Sequence, residues 1–301
     1  MQHIYPEILQ IRSNTLQAIR GFFLSRNFVE VETPVRLPAP ALEEFIDAIP
    51  ADDWYLRTSP ELHMKRLLVA GMSRIFQMGA CFRQGERGHL HNSEFTLLEW
   101  YRTNADYQTI LADTKELIRH VAAEVLGSTT ISFGEITIDL NLPWLCIPVK
   151  QAFQKYAGWN PIENFDADRF DLDLINKVEP GLPKNRGVVL IDYPVEAAAL
   201  SRRSADDPEV AERWELYMGG MELSNAFSEL TDAQEQRQRF EECAAKRAKA
   251  GSEVYPIDRP FLAALEQGMP PSGGIALGVD RLIMLLANVQ NIQEVRPFAD
   301  G

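Results

Sequence analysis

The sequence predicts an α+β fold in which an antiparallel β-sheet is flanked by helices. Two pairs of strand-like segments carry this prediction. Residues 82–101 have the pattern of a strand, a polar loop with glycine and a second strand. Residues 215–230 contain two strand-like halves separated by Gly219 and Gly220, which suggest a turn or a bulge. Strands joined by such short connections pair in the antiparallel sense.

Helical segments lie before, between and after these strand pairs. Residues 6–26 have the apolar spacing of one amphipathic helix, and residues 106–126 carry apolar residues on one side and charges on the other. Residues 231–251 begin with a capping pattern and continue with charges nearly all round, which is typical of a solvated helix. Pro270 and Pro271 end a helix and precede the last buried strand.

Length and composition set wider limits. The 301 residues suffice for a buried core, as one large domain or two small ones, and they contain no internal repeat or low-complexity linker. Residues 160–185 have mixed periodicity, and we interpret them as a solvated insertion. The formal charge of −13 provides no general footprint for a polyanion such as tRNA.

The protein is expected to be cytoplasmic. Its N-terminus lacks the pattern of a signal peptide, and no run approaches the roughly 20 apolar residues of a membrane span. Cys81, Cys146 and Cys243 are widely spaced, without a zinc pattern, and are interpreted as reduced thiols.

Glu215 and Glu222 are candidate metal ligands. An odd spacing along one straight strand would place their side chains on opposite faces. A turn at Gly219 and Gly220 would instead bring two antiparallel strands, each with one carboxylate, side by side. Mg²⁺ takes oxygen ligands and is often shared with substrate phosphates, which suits such a pair. The same alternation also fits a half-buried strand with one wet face, and the pattern alone leaves both interpretations open.

The strand pair at residues 82–101 brings an arginine, a histidine and an aromatic ring to one hairpin. Arg83 leaves the first strand and His91 lies in the loop. Phe95 and Glu99 share one face of the second strand. A guanidinium fork binds phosphate, and an aromatic ring offers a stacking surface for a base. With the two carboxylates, this predicts a nucleotide-activating site.

Three segments, in order along the chain, resemble the three motifs of class II aminoacyl-tRNA synthetases. The letters GFFL from Gly21 with FVEVETP from Phe28 resemble motif 1, the Arg83 hairpin resembles motif 2, and GVDR from Gly278 resembles motif 3. The resemblance implies the class II catalytic fold, an antiparallel sheet flanked by helices. It also implies an ATP-dependent ligase that forms an acyl-adenylate and a homodimer that associates through motif 1.

Within class II, the letters SPEL from Ser59 and NAFSELTD from Asn225 resemble lysyl-tRNA synthetase. The segment RTSPELHMKRLLVAG from Arg57 is more similar still to the shortened paralogues that ligate lysine or (R)-β-lysine to elongation factor P, the GenX or PoxA group. Full lysyl-tRNA synthetases carry an anticodon-binding barrel before motif 1. Because motif 1 begins near Phe28, we expect residues 1–301 to form a single catalytic domain without that barrel.

The resemblance implies a role for each matched position. Arg83 would bridge the amino-acid carboxylate and the ATP α-phosphate, and Arg281 would stack on adenine opposite Phe95; these two arginines are the implied catalytic residues. The implied ATP-binding residues are Arg83, Glu86, His91, Asn92, Phe95, Glu215, Glu222, Gly278 and Arg281, with Glu215 and Glu222 holding Mg²⁺. The implied amino-acid-binding residues are Ser59, Glu61, Glu99, Tyr101, Asn225, Phe227, Glu229, Gly274 and Ala276. Glu229, with Tyr101, would hold the side-chain ammonium.

Two positions depart from the lysyl-tRNA synthetase pattern. Motif 2 commonly reads Arg-x-Glu, but position 85 is glycine and the acid follows at Glu86, which substitutes for it if the loop shifts. Ala276 occupies a position where lysyl-tRNA synthetases tend to carry glycine, and alanine there agrees with the elongation factor P ligases. Its methyl group could discriminate between α- and β-amino acids by shape, on the order of 1–3 kcal/mol.

The expected function is therefore activation of lysine or β-lysine with ATP and Mg²⁺, followed by transfer to a lysine of elongation factor P. No membrane is expected as a partner, and tRNA is not expected either. Two alternatives stay open: aminoacylation of tRNA or another small acceptor, and a non-catalytic regulatory paralogue that binds lysine or nucleotide. The regulatory reading is disfavoured because Arg83, Glu215, Glu222 and Arg281 are all present.

Overall fold

The computed structural model describes residues 4–298. Its helices are α1 (Pro6–Ser25), α2 (Glu61–Val69), α3 (Tyr107–Leu126), α4 (Val149–Tyr156), α5 (Ala167–Asp173), α6 (Glu179–Gly181), α7 (Ala233–Ala250), α8 (Arg259–Glu266) and α9 (Val279–Ala287). Its strands are β1 (Val29–Glu30), β2 (Arg36–Leu37), β3 (Pro50–Ala51), β4 (Trp54–Leu56), β5 (Arg74–Phe82), β6 (Glu94–Thr103), β7 (Thr130–Phe133), β8 (Ile136–Asp139), β9 (Leu145–Pro148), β10 (Val188–Pro194), β11 (Val210–Met218), β12 (Met221–Ser228) and β13 (Ser272–Gly278). The predicted domain covers residues 1–301, and its first three and last three residues lie outside the described range. The first three residues of the N-terminal segment, for which no signal peptide is predicted, lie outside it as well.

An eight-stranded sheet forms the centre of the molecule. Its strand order is β1-β5-β6-β13-β12-β11-β10-β9. The six inner strands are antiparallel, while β1 and β9 join the two edges in the parallel sense. The predicted α+β class with an antiparallel sheet flanked by helices is confirmed, and the parallel edges are an addition to it.

The two faces of this sheet have different coverings. Helices α1, α3 and α9 pack against one face, over inward-pointing residues such as Leu98, Trp100, Trp214 and Ile275. Helices α2, α7 and α8 pack together on the other side, near Tyr101. They cover that face only in part, which leaves room for a cavity on the sheet.

The predicted helices are confirmed, and their ends have clear causes. Asp106 caps α3 by accepting a hydrogen bond from the backbone amide of Thr109, and Asp232 caps α7 through the amides at positions 234 and 235. Helix α7 ends at Gly251, which has the left-handed conformation that favours glycine (φ 74°). The segment after Pro271 forms β13 and then α9, as predicted.

The expectation that α7 is simply solvated is wrong at one position. The side chain of Arg247 is buried, and its guanidinium donates hydrogen bonds to the backbone carbonyls of Glu43 and Ile46. It also pairs with the carboxylate of Asp47 at 2.5 Å. A buried charge needs such partners. The helix therefore holds the loop of residues 43–47 in place.

Residues 160–185 are more structured than a solvated insertion. They contain α5, a π-helical turn (Leu174–Val178) and α6. Phe170 and Val178 are buried in a separate apolar cluster with residues of α4 and β10. Leu172 and Ile175 are exposed. The segment is an excursion from the sheet, but it has its own small core.

Among residues 4–298, no helix is both long and apolar enough to cross a membrane.

Candidate active site

Residues from four neighbouring strands form two rows across the free face of the sheet. In the first row, Glu99 lies opposite Ala276, Ala276 opposite Asn225, and Asn225 opposite Glu215. In the second row, Tyr101, Gly274, Phe227 and Arg213 follow one another in the same way. Directly opposed residues of adjacent strands point to the same face, and residues two apart on one strand do so as well.

A cavity of about 410 Å³ lies on these rows. It brings together nearly all of the residues predicted from the sequence. Seventeen of them line it: Ser59, Glu61, Arg83, Glu86, His91, Asn92, Phe95, Glu99, Tyr101, Glu215, Glu222, Asn225, Phe227, Glu229, Ala276, Gly278 and Arg281. The exception is Gly274, which does not line the cavity.

The turn at Gly219 and Gly220 explains how Glu215 and Glu222 share a face. Both glycines have positive φ (63° and 85°), and Met218 pairs with Met221 across the turn. Glu222 then lies opposite Tyr217, which is two residues from Glu215 on β11. The predicted turn between two antiparallel strands is confirmed.

A bulge keeps the rest of β12 on the same face. Leu216 pairs with Ser224 and Tyr217 pairs with Glu222, so Leu223 has no residue opposite it. Without this extra residue, the odd spacing between Glu222 and Asn225 would place their side chains on opposite faces.

Negative charge collects around Glu215 and Glu222. Glu215 accepts hydrogen bonds from the hydroxyls of Tyr193 (2.5 Å) and Tyr217 (2.7 Å). Burial and the charge of Glu215 raise the pKa of Glu222. Burial and the same two carboxylates raise the pKa of Glu179, on α6, to about 7. A hard cation would relieve this repulsion.

The donor set fits Mg²⁺ that is shared with a ligand. No group of three or more His, Cys, Asp or Glu side chains within residues 4–298 is arranged to hold a metal by itself. Two carboxylates at the edge of a cavity would leave the remaining positions of the ion to phosphate oxygens and water, which is the usual arrangement for Mg²⁺.

Arg83 lies at the start of the motif 2 loop, above Phe95. Its guanidinium carbon is 5.0 Å from the centroid of the Phe95 ring. Nη1 of Arg83 is 3.4 Å from Oε1 of Glu86, and Nε is buried without a partner among the described residues. Glu86 therefore faces the cavity despite the glycine at position 85, as its predicted role requires. The unused donors of Arg83 are available to an anion.

Arg281, on α9, connects the loop of residues 83–93 to β12. It donates hydrogen bonds to the backbone carbonyls of Glu222 (2.8 Å) and Leu90 (3.2 Å). Its Nη2 lies 2.8 Å from Nε2 of His91. Burial and the positive charge of Arg281 lower the pKa of His91, so the imidazole is neutral near pH 7.

Glu99 is held at the buried end of the cavity. Ser59 donates a hydrogen bond to one of its carboxylate oxygens (2.6 Å), and Tyr101 donates to the other (2.8 Å). Burial and the nearby charge of Glu61 nevertheless raise the pKa of Glu99 to about 8. Tyr101 was expected to act with Glu229, but its hydroxyl is bonded to Glu99.

Glu229 has a different partner, which sequence reasoning missed. Oε2 of Glu229 lies 2.5 Å from the ammonium of Lys65, and the same ammonium lies 2.5 Å from Oε1 of Glu61. Oε1 of Glu229 is buried and has no hydrogen-bond partner within residues 4–298. Burial raises the pKa of Glu229 to about 8, although Lys65 acts in the opposite direction.

Gly274 packs directly against the side chain of Glu229. A Cβ atom at position 274 would overlap Oε1 of Glu229 and the ring of Tyr101. Glycine at this position therefore leaves the space that the side chains of Glu229 and Tyr101 occupy, and its predicted contact with the amino acid stays a prediction.

Three further cavity residues or partners were not predicted. Arg213 lines the cavity and pairs with Glu215 at 2.5 Å, Glu43 reaches the cavity from the loop held by Arg247, and Lys65 bridges two predicted carboxylates. Two of them could have been found from spacing, because Lys65 follows Glu61 by one helical turn and Arg213 precedes Glu215 by two strand positions. No local pattern indicates Glu43.

Residues 1–300 match the sequence profile of the class II tRNA synthetases (D, K and N). The chain belongs to this family. It is 37% identical over 323 residues to a lysine–tRNA ligase of Moorella thermoacetica, with 98% of this chain and 66% of that protein covered. It is 36% identical to the lysine–tRNA ligase of Actinobacillus pleuropneumoniae serotype 5b (96% and 63% covered) and 39% identical to that of Pelotomaculum thermopropionicum (97% and 63% covered). The chain thus spans slightly less than two thirds of the length of these relatives.

Proposed function

We propose that the protein activates lysine or (R)-β-lysine with ATP to form an aminoacyl-adenylate and transfers the acyl group to a lysine side chain of elongation factor P. The observation that carries the activation step is the buried carboxylate pair Glu99 and Glu229 at one end of a cavity whose other end holds Arg83. An amino acid with a cationic side chain and a carboxylate matches both ends. The unpaired Oε1 of Glu229 is an acceptor suited to an ammonium group.

A neutral amino acid would bind poorly in this cavity. It would leave a buried carboxylate without a counter-charge, which costs roughly 3–5 kcal/mol. That cost corresponds to about several hundredfold or more in affinity. Burial of Glu99 and Glu229 (each about 1% exposed) makes this cost difficult to avoid through water.

The chain's residues position the reacting groups. Arg83 holds the substrate carboxylate against the α-phosphate, so that a carboxylate oxygen attacks phosphorus and the bond to the leaving pyrophosphate breaks. Phe95 and Arg281 enclose the adenine, and neutral His91 lies beside Arg281 for the terminal phosphates. Glu215 and Glu222 would hold Mg²⁺, which when bound neutralises charge that develops on the phosphates.

Transfer completes the reaction. The acceptor amine attacks the acyl carbon, an amide bond forms, AMP leaves and the amine loses a proton. Elongation factor P as the acceptor rests on the resemblance of residues 57–71 and on Ala276, and the net charge of −13 is consistent with a protein acceptor. The names of the relatives make transfer to tRNA the second candidate. Dimerisation through motif 1 stays a prediction.

The test has two parts. Lysine-dependent and β-lysine-dependent ATP–pyrophosphate exchange measures activation, and the intact mass of added elongation factor P together with charging of tRNA identifies the acceptor. We expect exchange with one or both isomers and one added lysyl group on elongation factor P. Charged tRNA together with unmodified elongation factor P would overturn the proposal that elongation factor P is the acceptor. The absence of exchange with either isomer would favour a regulatory paralogue and overturn the enzyme.

A further inference from the structure

Lys65 is a fully buried lysine inside the amino-acid cavity wall. It lies on α2, one turn after Glu61, and its side chain has no exposed surface. Its ammonium lies 2.5 Å from Oε1 of Glu61 and 2.5 Å from Oε2 of Glu229. A buried ammonium is costly unless oppositely charged partners surround it, and these two carboxylates do so.

This ammonium keeps its charge. Burial lowers the pKa of Lys65, but the carboxylates of Glu229 and Glu61 outweigh burial and hold the pKa above its ordinary value. The positive charge is therefore a fixed part of the cavity, present whether or not a ligand is bound.

The charged side chains at this end of the cavity carry more negative than positive charge. Glu61, Glu99 and Glu229 contribute three negative charges when ionised, and Lys65 contributes one positive charge, so the net charge is −2. Lysine and β-lysine each bring two ammonium groups. Lys65 also forms an ion pair with one oxygen of Glu61 and one of Glu229, and Oε1 of Glu229 has no hydrogen-bond partner within residues 4–298.

We propose that Lys65 is a specificity-determining and positioning residue of the amino-acid cavity. It compensates one of three carboxylates and fixes the orientation of two, so that the remaining charge matches two ammonium groups. This role rests on the proposed activation of a lysine-type amino acid. Without Lys65, three carboxylates would face each other in a buried space and would take up protons that lysine must displace. Glu229 would also lose the ammonium that lies 2.5 Å from its Oε2.

The test compares Lys65→Met, Lys65→Arg and a control, Lys249→Met, which removes an exposed lysine from α7. In pyrophosphate exchange, we expect Lys65→Met to raise the Michaelis constant for lysine by about a hundredfold. The constant for ATP should stay within about twofold, since the nucleotide contacts lie on other residues. Lys65→Arg keeps the positive charge, and its Michaelis constant for lysine should rise less than that of Lys65→Met. Both Michaelis constants of Lys249→Met should match those of the wild-type protein.

A salt bridge that only anchors α2 to the sheet would give a different result. It would lower thermal stability in Lys65→Met without separating the two Michaelis constants, and that outcome overturns the proposal. If Lys65→Met does not fold, Lys65→Ala is refolded and assayed with ethylammonium chloride or, as the uncharged match, ethanol. Recovery of lysine-dependent exchange with ethylammonium alone supports the role, and equal behaviour of both additives overturns it. A wild-type protein without lysine-dependent exchange would instead overturn the proposed function itself.

Discussion

The backbone of Gly274 and the carboxylate of Glu229 are packed so closely that a methyl group on Gly274 would overlap Oε1 of Glu229. Gly274 lies on β13, and Glu229 directly follows the last residue of β12. The backbone amide of Glu229 donates a hydrogen bond to the carbonyl of Ser272 on β13. The position of the carboxylate is thus set by the absence of a side chain on the next strand.

Gly274→Ala should therefore impair lysine binding more than ATP binding. Displacing Glu229 and Tyr101 should raise the Michaelis constant for lysine by about tenfold or more, with a stability loss of about 1–3 kcal/mol from overpacking. Pyrophosphate exchange and thermal unfolding measure the two effects. Gly21→Ala is the matched control, because a Cβ there meets no atom within 4 Å. An unchanged lysine constant in Gly274→Ala would contradict the placement of Glu229 in the cavity.

Much of this site was predictable from strand periodicity. Glu99 with Tyr101, Asn225 with Phe227 and the flanking Gly274 with Ala276 are spaced by two, so each pair had to share a face. Which strand lies beside which is not contained in that spacing. The resemblance to class II motifs supplied the order, and the register of β13 between β6 and β12 agrees with it.

The features that were missed depend on contacts between distant segments. The bulge at Leu223 is determined by the pairing of β12 with β11, and no glycine at that position indicates it in the sequence. Arg247 is one of many charges on α7, and only the loop at residues 43–47 makes it a buried residue. Lys65 has the same difficulty, since a lysine four residues after a glutamate usually indicates an exposed helical ion pair.

Glu222→Gln should abolish adenylate formation while the fold persists. The amide keeps the shape of the side chain but removes the negative charge that would hold Mg²⁺, so exchange should fall by about a hundredfold or more. Glu241→Gln, on the exposed side of α7, controls for the change in net charge. Exchange near the wild-type rate in Glu222→Gln would show that the metal assignment is wrong.

Glu229→Gln should raise the lysine concentration required for exchange far more than the ATP concentration. The substitution removes the charge that is proposed to bind the substrate ammonium, and it leaves Lys65 with Glu61 as its remaining charged partner among the described residues. A loss of several hundredfold in lysine affinity is of the expected size, at about 3–5 kcal/mol. Equal losses for both substrates would indicate a structural role for the carboxylate.

Lysine binding should release protons near pH 7. Burial and the charge of Glu61 raise the pKa of Glu99 to about 8 in the unliganded cavity, so this carboxyl is mostly protonated at pH 7, whereas Glu229 is ion-paired with Lys65. An ammonium group binds the ionised form of Glu99, and binding must therefore remove that proton. Affinity should rise from pH 6 to about pH 8 and then level off, by up to about tenfold per pH unit for each group that ionises.

Calorimetry in buffers with different ionisation enthalpies measures this release. The observed enthalpy of lysine binding at pH 7 should differ between phosphate and Tris, and the difference should shrink in Glu99→Gln because the titrating carboxyl is gone. Identical enthalpies in both buffers for the wild-type protein would show that Glu99 is already ionised before lysine binds.

Ala276 is the position where the choice between lysine isomers can be tested. It lies between Glu99 on β6 and Asn225 on β12, and it lines the cavity. Ala276→Gly should relax discrimination against α-lysine by about tenfold, as expected for one methyl group. ATP binding should change little, because the proposed nucleotide contacts are on Phe95, His91 and Arg281.

The competing hypothesis is that the methyl group of Ala276 serves only to pack the sheet. The control variant Ala226→Gly distinguishes this hypothesis from substrate selection. Ala226 is also on a central strand, but its side chain is buried in the helix-covered core on the opposite face. Both variants should lose stability, by about 0.5–1 kcal/mol for glycine in a strand, with more lost at the fully buried Ala226. Only Ala276→Gly should change the ratio of α-lysine to β-lysine activation. An unchanged ratio in Ala276→Gly, with a stability loss like that of Ala226→Gly, would assign the methyl group to packing and remove it from substrate selection.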